Sequence, residues 1–502
     1  MPIVPLLGTA TRGKSPTISA QRRINVVAER YAGDAVDKAP FNLLGRFGLT
    51  NLGTINRVLP PNNFAIVRGF SEQNPMWTNP GSGTQADTLQ RGAFFVAGPD
   101  IGVVGRGIYP LIWQSNALAS QQGPVSIAMN PIQMLIADGA SGYIVNLAYP
   151  FTVTPLAGTG TAFPMGTNSV CFIAGRFVAV DPYHPGRFYW SHVNDGLTWD
   201  ALDFATAESA PDPLMSVKEN AGELVLLGRD TTEFWGPSGD TAIFRRLGGA
   251  GIDWGCVAPF SVQKAIGGLV LLGRQRIGGD AQVIFLASHQ ATEISDPDVV
   301  SDINAEEDLN QAVALAYVAG GHAFYQLNLS TTSWVFDFTA KMWSEFRSAG
   351  ARHYAQHATV CDNQTILSDY SSADVYTPDF ASQIDDHITM VAPFSPPVAV
   401  ELISKHALAD YERFAVSELY VDLEVGDNPS GVAADFDPQV MLQWSKDGGR
   451  TFGNEVWRSL GKVGEYRTRA TWRNLGIARD WVFRLRVTDP VRRVITNAAM
   501  RI

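Results

Sequence analysis

The chain states one phrase twice. Gly222-Glu223-Leu224-Val225-Leu226-Leu227-Gly228-Arg229 returns 45 residues later as Gly267-Gly268-Leu269-Val270-Leu271-Leu272-Gly273-Arg274. Each copy is a short apolar run bounded by glycines, which reads as a buried strand and not a helix. A repeat of about this length suits one four-stranded blade of a β-propeller. Weaker copies begin near Gly92, Gln133, Gly175, Gly321 and Gln364, at successive offsets of 41, 42, 47, 45, 54 and 43 residues through the whole series. Loop insertions account for that scatter, because added loop length costs little free energy. The series predicts about seven blades. The competing reading is chance recurrence of glycine-bounded strands in an ordinary β protein.

At 502 residues the chain exceeds one small core, so more than one domain is expected. Its 47 Gly, 29 Pro and 26 Phe suit many short, aromatic-rich strands joined by turns. No apolar run approaches the ~18 residues of a membrane span. The opening Met1-Pro2-Ile3-Val4-Pro5 lacks the basic segment and apolar core of a signal peptide. A soluble, cytoplasmically made chain is therefore expected. Cys171, Cys256 and Cys361 lack metal-type spacing and are expected to be buried free thiols. Net charge is −11, unevenly spread: residues 441–502 carry 13 Lys and Arg against 5 Asp and Glu, a net of +8. An acidic body with a basic end argues against general nucleic-acid coating and for directional contact with a partner. Simple solvation of an exposed sheet face explains the arginines equally well.

In order, residues 1–50 read as an extended N-terminal arm, interrupted by Pro2, Pro5, Pro16 and Pro40, with one strand at Arg23–Ala28. The arm either closes the propeller with an added strand or lies across a neighbouring subunit. Residues 51–397 form the propeller, with one short helix expected from Ser301 to Leu309 and a strand-turn-strand from Trp334 to Phe346. Residues 398–502 leave the blade period and read as a small β-sandwich. There Tyr466–Arg473 is expected to be a strand with Arg467, Arg469 and Arg473 on one face. A second strand, Trp481–Val487, would carry Arg484 and Arg486 opposite its apolar side. These five arginines are the candidate interface. The fold class is thus all-β.

Ser445-Lys446-Asp447-Gly448-Gly449-Arg450-Thr451-Phe452 fits the Asp-box pattern without a gap. An earlier copy sets His192 and Asn194 at the Ser and Asp positions, followed by Gly196, Thr198 and Trp199. In such a box the carboxylate and hydroxyl bond the turn's own backbone, so it is a folding device. Glycosidases need two carboxylates at a set distance, or a tyrosine nucleophile beside arginines. The adjacent pairs Asp385-Asp386 and Glu306-Glu307 suit solvated turns better. His353, His357 and Cys361 would bind a metal only on a helix, and their neighbours favour strand or loop. No phosphate-binding loop or nucleophile elbow is present. No enzyme, cofactor or metal is expected; the alternative is a propeller-type glycan-binding or glycan-cleaving protein.

Residues Arg187–Trp235, Ser301–Ser348 and Leu442–Pro490, with the opening Ala20-Gln21-Arg22-Arg23-Ile24-Asn25, are similar to one known family. They resemble the packaged-DNA stabilisation proteins of short-tailed bacteriophages, also called tail hub or nozzle proteins. The third segment is the most specific, through Gly449-Arg450-Thr451-Phe452, Arg458–Tyr466 and Leu475–Asp480. The resemblance implies a virion protein made in the host cytoplasm, assembled as a ring, typically a hexamer, below the portal and its adaptor. It implies that the ring continues the DNA channel, retains packaged double-stranded DNA without reading its sequence, and docks tailspikes or fibres and a plug or needle. It supplies no catalytic residue. An acidic channel lining would let DNA slide, since retention on a surface needs Lys or Arg at the phosphates.

Overall fold

A computed structural model of the chain describes residues 15, 19–30, 41–55, 58–59, 63–72, 76–77, 90–147, 152–158, 160–207, 212–239, 243–388, 393–408, 412–424, 426 and 435–502. Met1–Pro5, Pro16 and Pro40, which the sequence reading singled out, lie outside them. Among the described residues no helix is long and apolar enough to cross a membrane.

Seven antiparallel blades follow one another, and every copy of the repeated phrase is the second strand of its blade. These are Ala93–Ala97, Gln133–Ala137, Arg176–Val180, Glu223–Gly228, Gly268–Gln275, His322–Asn328 and Gln364–Asp369. A blade's second strand is covered on both faces, which explains an apolar run without alternation. Leu224 and Leu226 pack toward the third blade, while Val225 and Leu227 pack toward the fifth. Leu269 and Leu271 face the fourth blade, and Val270 and Leu272 face the sixth. Seven such cores lie between successive blades, and the last joins Ile366 and Val375 of the seventh to Val67 and Phe95 of the first. The ring is closed.

In the two closest copies the leading glycine serves the turn before the strand. Ala221 and Gly222 have φ of 52° and 82°, and Ile266 and Gly267 have 45° and 74°. Two consecutive positive-φ residues between paired ends (Asn220 with Glu223, Ala265 with Gly268) make the primed turn that matches strand twist.

Four strands early in the chain do separate jobs. They are β1 (Arg22–Ile24), β2 (Val26–Arg30), β3 (Phe41–Gly45) and β4 (Gly48–Thr54). Strand β4 pairs with Asp374–Asp379 and becomes the outer strand of the seventh blade. The arm therefore closes its own propeller. The single strand expected at Arg23–Ala28 is two, broken at Asn25, whose φ of 58° turns the chain between sheets. Strand β1 runs parallel to Met342–Ser348 of the sixth blade and antiparallel to Val400–Ile403. One sheet of eleven strands results, passing from propeller to sandwich without a gap.

The facing sandwich sheet runs β2, β3, Val494–Arg501, Phe414–Leu423 and Ala470–Ala478. Leu419, Val421, Trp472 and Met500 from it meet Leu402, Leu442, Trp481 and Phe483 from the other. The helix expected at Ser301–Leu309 lies earlier, as α1 (Pro297–Asn304), because Asp296 stands at its N-cap and Pro297 fits its first turn. The Trp334–Phe346 hairpin is present as Ser333–Asp337 and Met342–Ser348.

Candidate functional site

The chemistry this chain offers lies at the junction between propeller and sandwich, in a buried cluster of the closing blade, along the axial channel, in the Asp-box turns and on the charged sandwich faces. At the junction the left-handed turn at Asn25 aims its amide into the gap. Asn25 Nδ2 donates to the Ala399 carbonyl at 2.7 Å, and its Oδ1 accepts from the Arg46 Nε–H at 2.9 Å and the Arg347 backbone N–H at 2.7 Å. Arg46, fully buried, also donates to both oxygens of Asp385 at 2.9 and 2.6 Å and to the carbonyls of Phe47 and Arg347. Ser348 Oγ donates to Asp385 Oδ2 at 2.8 Å. A buried ion pair holds only when such extra bonds satisfy its remaining donors and acceptors. Glu345, only 1% exposed, takes Arg22 of β1 at 2.6 Å and Arg347 on its other oxygen. Asp385 is therefore a structural lock, not half of a catalytic pair. Glu306, from the other adjacent pair, accepts from Ser330.

A second buried cluster fastens the closing blade. Asp369 Oδ2 and Asp374 Oδ2 lie 3.2 and 3.3 Å from His387 Nδ1. The Tyr376 hydroxyl sits among them, 2.7 Å from Asp369 and 2.9 Å from His387. Hydrogen bonds to the two carboxylates hold the His387 imidazolium up to about 9 against desolvation. Among the described residues this is the one group with three possible metal ligands. The imidazolium supplies the positive charge between the carboxylates, and Tyr354 stacks on its ring at 4.5 Å. The arrangement is complete as an ionic hydrogen-bond cluster.

The axial channel is a cavity of about 350 Å³ lined from all seven blades. At one mouth Lys264 meets Glu219 at 2.8 Å and Glu72 at 3.5 Å, and Lys218 meets Glu72 at 3.7 Å. His357 lines the channel, and burial pushes that imidazole down to about 4. His353, fully buried among Phe47 and Phe346, is likewise held neutral by desolvation. His357 and Cys361 lie on one strand, Ala355–Cys361, with His353 just before it, so the trio does not converge as a helical i, i+4 set would. All three cysteines are buried and free; burial pushes the Cys171 and Cys256 thiols up to about 12.

The Asp box at Ser445 is formed. Ser445 Oγ donates to Asp447 Oδ1 at 2.6 Å and accepts the Gly449 N–H at 2.9 Å. Asp447 also accepts from Thr451 N at 2.9 Å and Thr451 Oγ1 at 2.6 Å; the Ser445 hydroxyl first, and then these Thr451 donors, hold its carboxyl well below the usual carboxylate range. Gly449 has φ of 84° with Ala20 packed against it, and Phe452 lies beneath Arg484. In the earlier copy the carboxylate is Asp195, not Asn194. Asp195 accepts from Leu197 N and Thr198 Oγ1, while Asn194 supplies a positive φ of 53°. The turn is one residue shorter, so the acid moves one place along. Gly196 receives the Trp199 indole N–H on its carbonyl at 2.7 Å, closing the turn.

The candidate arginines divide between two surfaces. The strand expected from Tyr466 begins at Ala470, so Arg467 and Arg469 precede it in an exposed turn. Arg469 pairs with Asp422 at 2.5 Å and Arg473 with Glu418 at 3.2 Å on one sheet. Arg484 pairs with Glu401 at 2.6 Å, and Arg486 lies 3.7 Å from Glu455, on the other. Residues 398–502 hold 15 Lys and Arg against 14 Asp and Glu, a net of +1, whereas residues 51–397 hold 16 against 32, a net of −16. The basic end is thus neutralised by acids earlier in its own domain. Sequence reasoning missed Asn25, Arg46 and His387; an asparagine inside a strand-like run and two aspartates five residues apart were the available signals.

Residues 57–383 match the family described as bacteriophage P22 Gp10, beta-propeller, and residues 399–502 match bacteriophage P22 Gp10, beta-sandwich. No curated protein matches the chain. Among solved structures it is similar to the extracellular domain of a hybrid two component system from B. thetaiotaomicron, at 7% identity and a TM-score of 0.42, covering 68% of this chain. The chain spans 41% of that protein. It is also similar to the N-terminal domain of Nup159, at 8% identity and a TM-score of 0.38, over 71% of this chain and 98% of that one. The WD40 beta propeller domain of Doa1 follows at 10% identity and a TM-score of 0.37, over 66% and 96%. These likenesses carry no functional weight.

Proposed function

We propose that this chain, which belongs to the bacteriophage P22 Gp10 family through both its propeller and its sandwich, is the ring-forming hub or nozzle subunit of a short phage tail. Membership makes it a structural protein of the phage tail. In the proposed role it continues the DNA channel below the portal and adaptor, retains packaged DNA, and offers docking surfaces to spikes or fibres and to a plug. It acts by shape and charge and not by catalysis.

The observation that carries this reading is the sheet running unbroken from the sixth blade through β1 into the sandwich. A wall subunit under the load of packaged DNA must not hinge. Continuous backbone pairing, with Arg46 and Asp385 buried behind it, supports one stiff body from two domains. The second support is charge. A propeller of net −16 presented to the lumen would repel phosphates and let DNA slide. In this reading the lumen is a space between subunits and not the axis of any one propeller. Imaging of purified protein and of tail assemblies tests this. Rings on the portal side, with an acidic lumen, are expected; a monomer cleaving polysaccharide, or a strongly basic lumen, would overturn it.

A further inference from the structure

One socket and one tongue on this chain suit each other. The socket is a cavity of about 380 Å³ beside the junction, walled by Leu44, Phe380, Ala381 and Val494 and edged by Arg493 and by Arg492, which lies 3.6 Å from Glu424. Arg493 is 2% exposed. Its Nη atoms reach the Val398 carbonyl and the Gln383 side chain, but its Nε–H has no partner among the described residues. That Nε lies at the Gly45 wall, 3.0 Å from where a Cβ on Gly45 would stand, so any side chain there would fill the space. Burial first, and then the neighbouring Arg46, lower the Arg493 guanidinium to about 9 against the pull of Asp385 and Asp489. A buried N–H left unbonded costs about 1–3 kcal/mol, so the cavity favours a ligand bearing a carboxylate beside an apolar group.

The tongue is on the outer strand of the third blade. Between the pairs Ser191 with Trp199 and Tyr189 with Phe204, residues 200–203 bulge out of the sheet. Asp200 caps the bulge by accepting the Leu202 N–H at 3.1 Å. Leu202 is thereby held 83% exposed, between Asp200 and Asp203. A solvent-facing leucine flanked by two acids complements apolar walls edged by two arginines.

We propose that the Asp200–Asp203 tongue of one copy of this chain enters the Leu44/Phe380/Val494 socket of a second copy, with its acids toward Arg492 and Arg493. The contact is heterologous, tongue to socket, so repetition closes a ring or extends a filament. This rests on the ring assembly argued above and adds the surface that builds it.

The test uses the full chain carrying Leu202→Cys and Ala381→Cys; the three native thiols are buried and contribute little background. Mild oxidation should link separate chains into a ladder that neither single variant gives. Leu202→Asp should lower the fraction of assembled chain at least tenfold at unchanged melting temperature; Asp203→Arg alone should also lower it, and adding Arg492→Asp to Asp203→Arg should restore part of that second loss. Assembly that persists in Leu202→Asp without cross-linking would overturn the tongue and leave the ring reading standing. If the wild-type chain stays monomeric, the ring reading fails. The socket is then judged by fluorescence anisotropy with a labelled peptide spanning residues 199–204. Binding weakened at least tenfold by Arg492→Glu supports it, and no binding refutes it.

Discussion

Removing the Asp385 carboxylate tests whether propeller and sandwich are one mechanical body. Arg46 and Asp385 are 0% and 1% exposed as side chains, and their charges meet at 2.6 Å. Deleting one partner of such a pair costs about 3–5 kcal/mol, because the other charge stays buried. In Asp385→Ala the guanidinium keeps Asn25 Oδ1 and the carbonyls of Phe47 and Arg347. The loss should therefore lie near the lower end, about 3 kcal/mol, or more than a hundredfold in the unfolding equilibrium. Arg46→Met should cost more, since it also abandons those three acceptors at roughly 1 kcal/mol each. Arg46→Met combined with Asp385→Ala should cost at least ~2 kcal/mol less than the two single changes added, because apolar replacement leaves no charge stranded. Urea unfolding followed by tryptophan fluorescence and far-ultraviolet circular dichroism reads all four proteins. A loss under ~1 kcal/mol for Asp385→Ala, or strictly additive single changes, would refute the reasoning.

The His387 cluster adds a pH dependence. Its folded value, about 9, stands above the ordinary 6.5, so its stabilisation is complete below about pH 6.5 and is lost as pH rises toward 9. Melting temperature should fall across that window, and His387→Gln should flatten the fall; an unchanged profile would contradict the assignment. His322, raised by Asp337, contributes in the same direction. The turn glycine Gly267 has open space around it and φ of 74°, so Gly267→Asn should be nearly neutral. Gly267→Val should cost about 1–2 kcal/mol in the same unfolding assay. Gly255 differs: a Cβ there would lie 2.0 Å from the Arg229 carbonyl, so Gly255→Ala should greatly reduce soluble yield. Removing residues through Thr54 exposes the edge at Asp374–Asp379, and size-exclusion chromatography should then show aggregation in place of a discrete species.

The propeller was legible because burial on both faces writes itself into sequence. Leu224 to Leu227 and Leu269 to Leu272 answer to two neighbouring blades each, and Gly222 and Gly267 answer to a turn that demands positive φ. The junction was not legible, because its partners are remote. Arg22 and Glu345 are 323 residues apart, and Arg46 and Asp385 are 339 apart. Nothing local marks Arg23–Ala28 as two strands except Asn25, one of the few residue types at ease in the left-handed region. The acid partners of the arginine faces were hidden for a related reason. Charge summed from residue 441 cuts the sandwich through its middle and omits Glu401, Glu418 and Asp422, which neutralise Arg484, Arg473 and Arg469 across strands. Asp195 was passed over because a pattern with a fixed gap cannot follow a turn shortened by one residue.

The most direct measurement is a single-particle reconstruction of the tail assembly containing this chain. The account predicts copies set side by side around a central lumen, each propeller and sandwich superposing on the arrangement described here as one body. DNA density should pass between subunits, with the axis of every propeller free of it. Copies in which the sandwich swings relative to the sixth blade, or a chain placed outside the channel wall altogether, would contradict it.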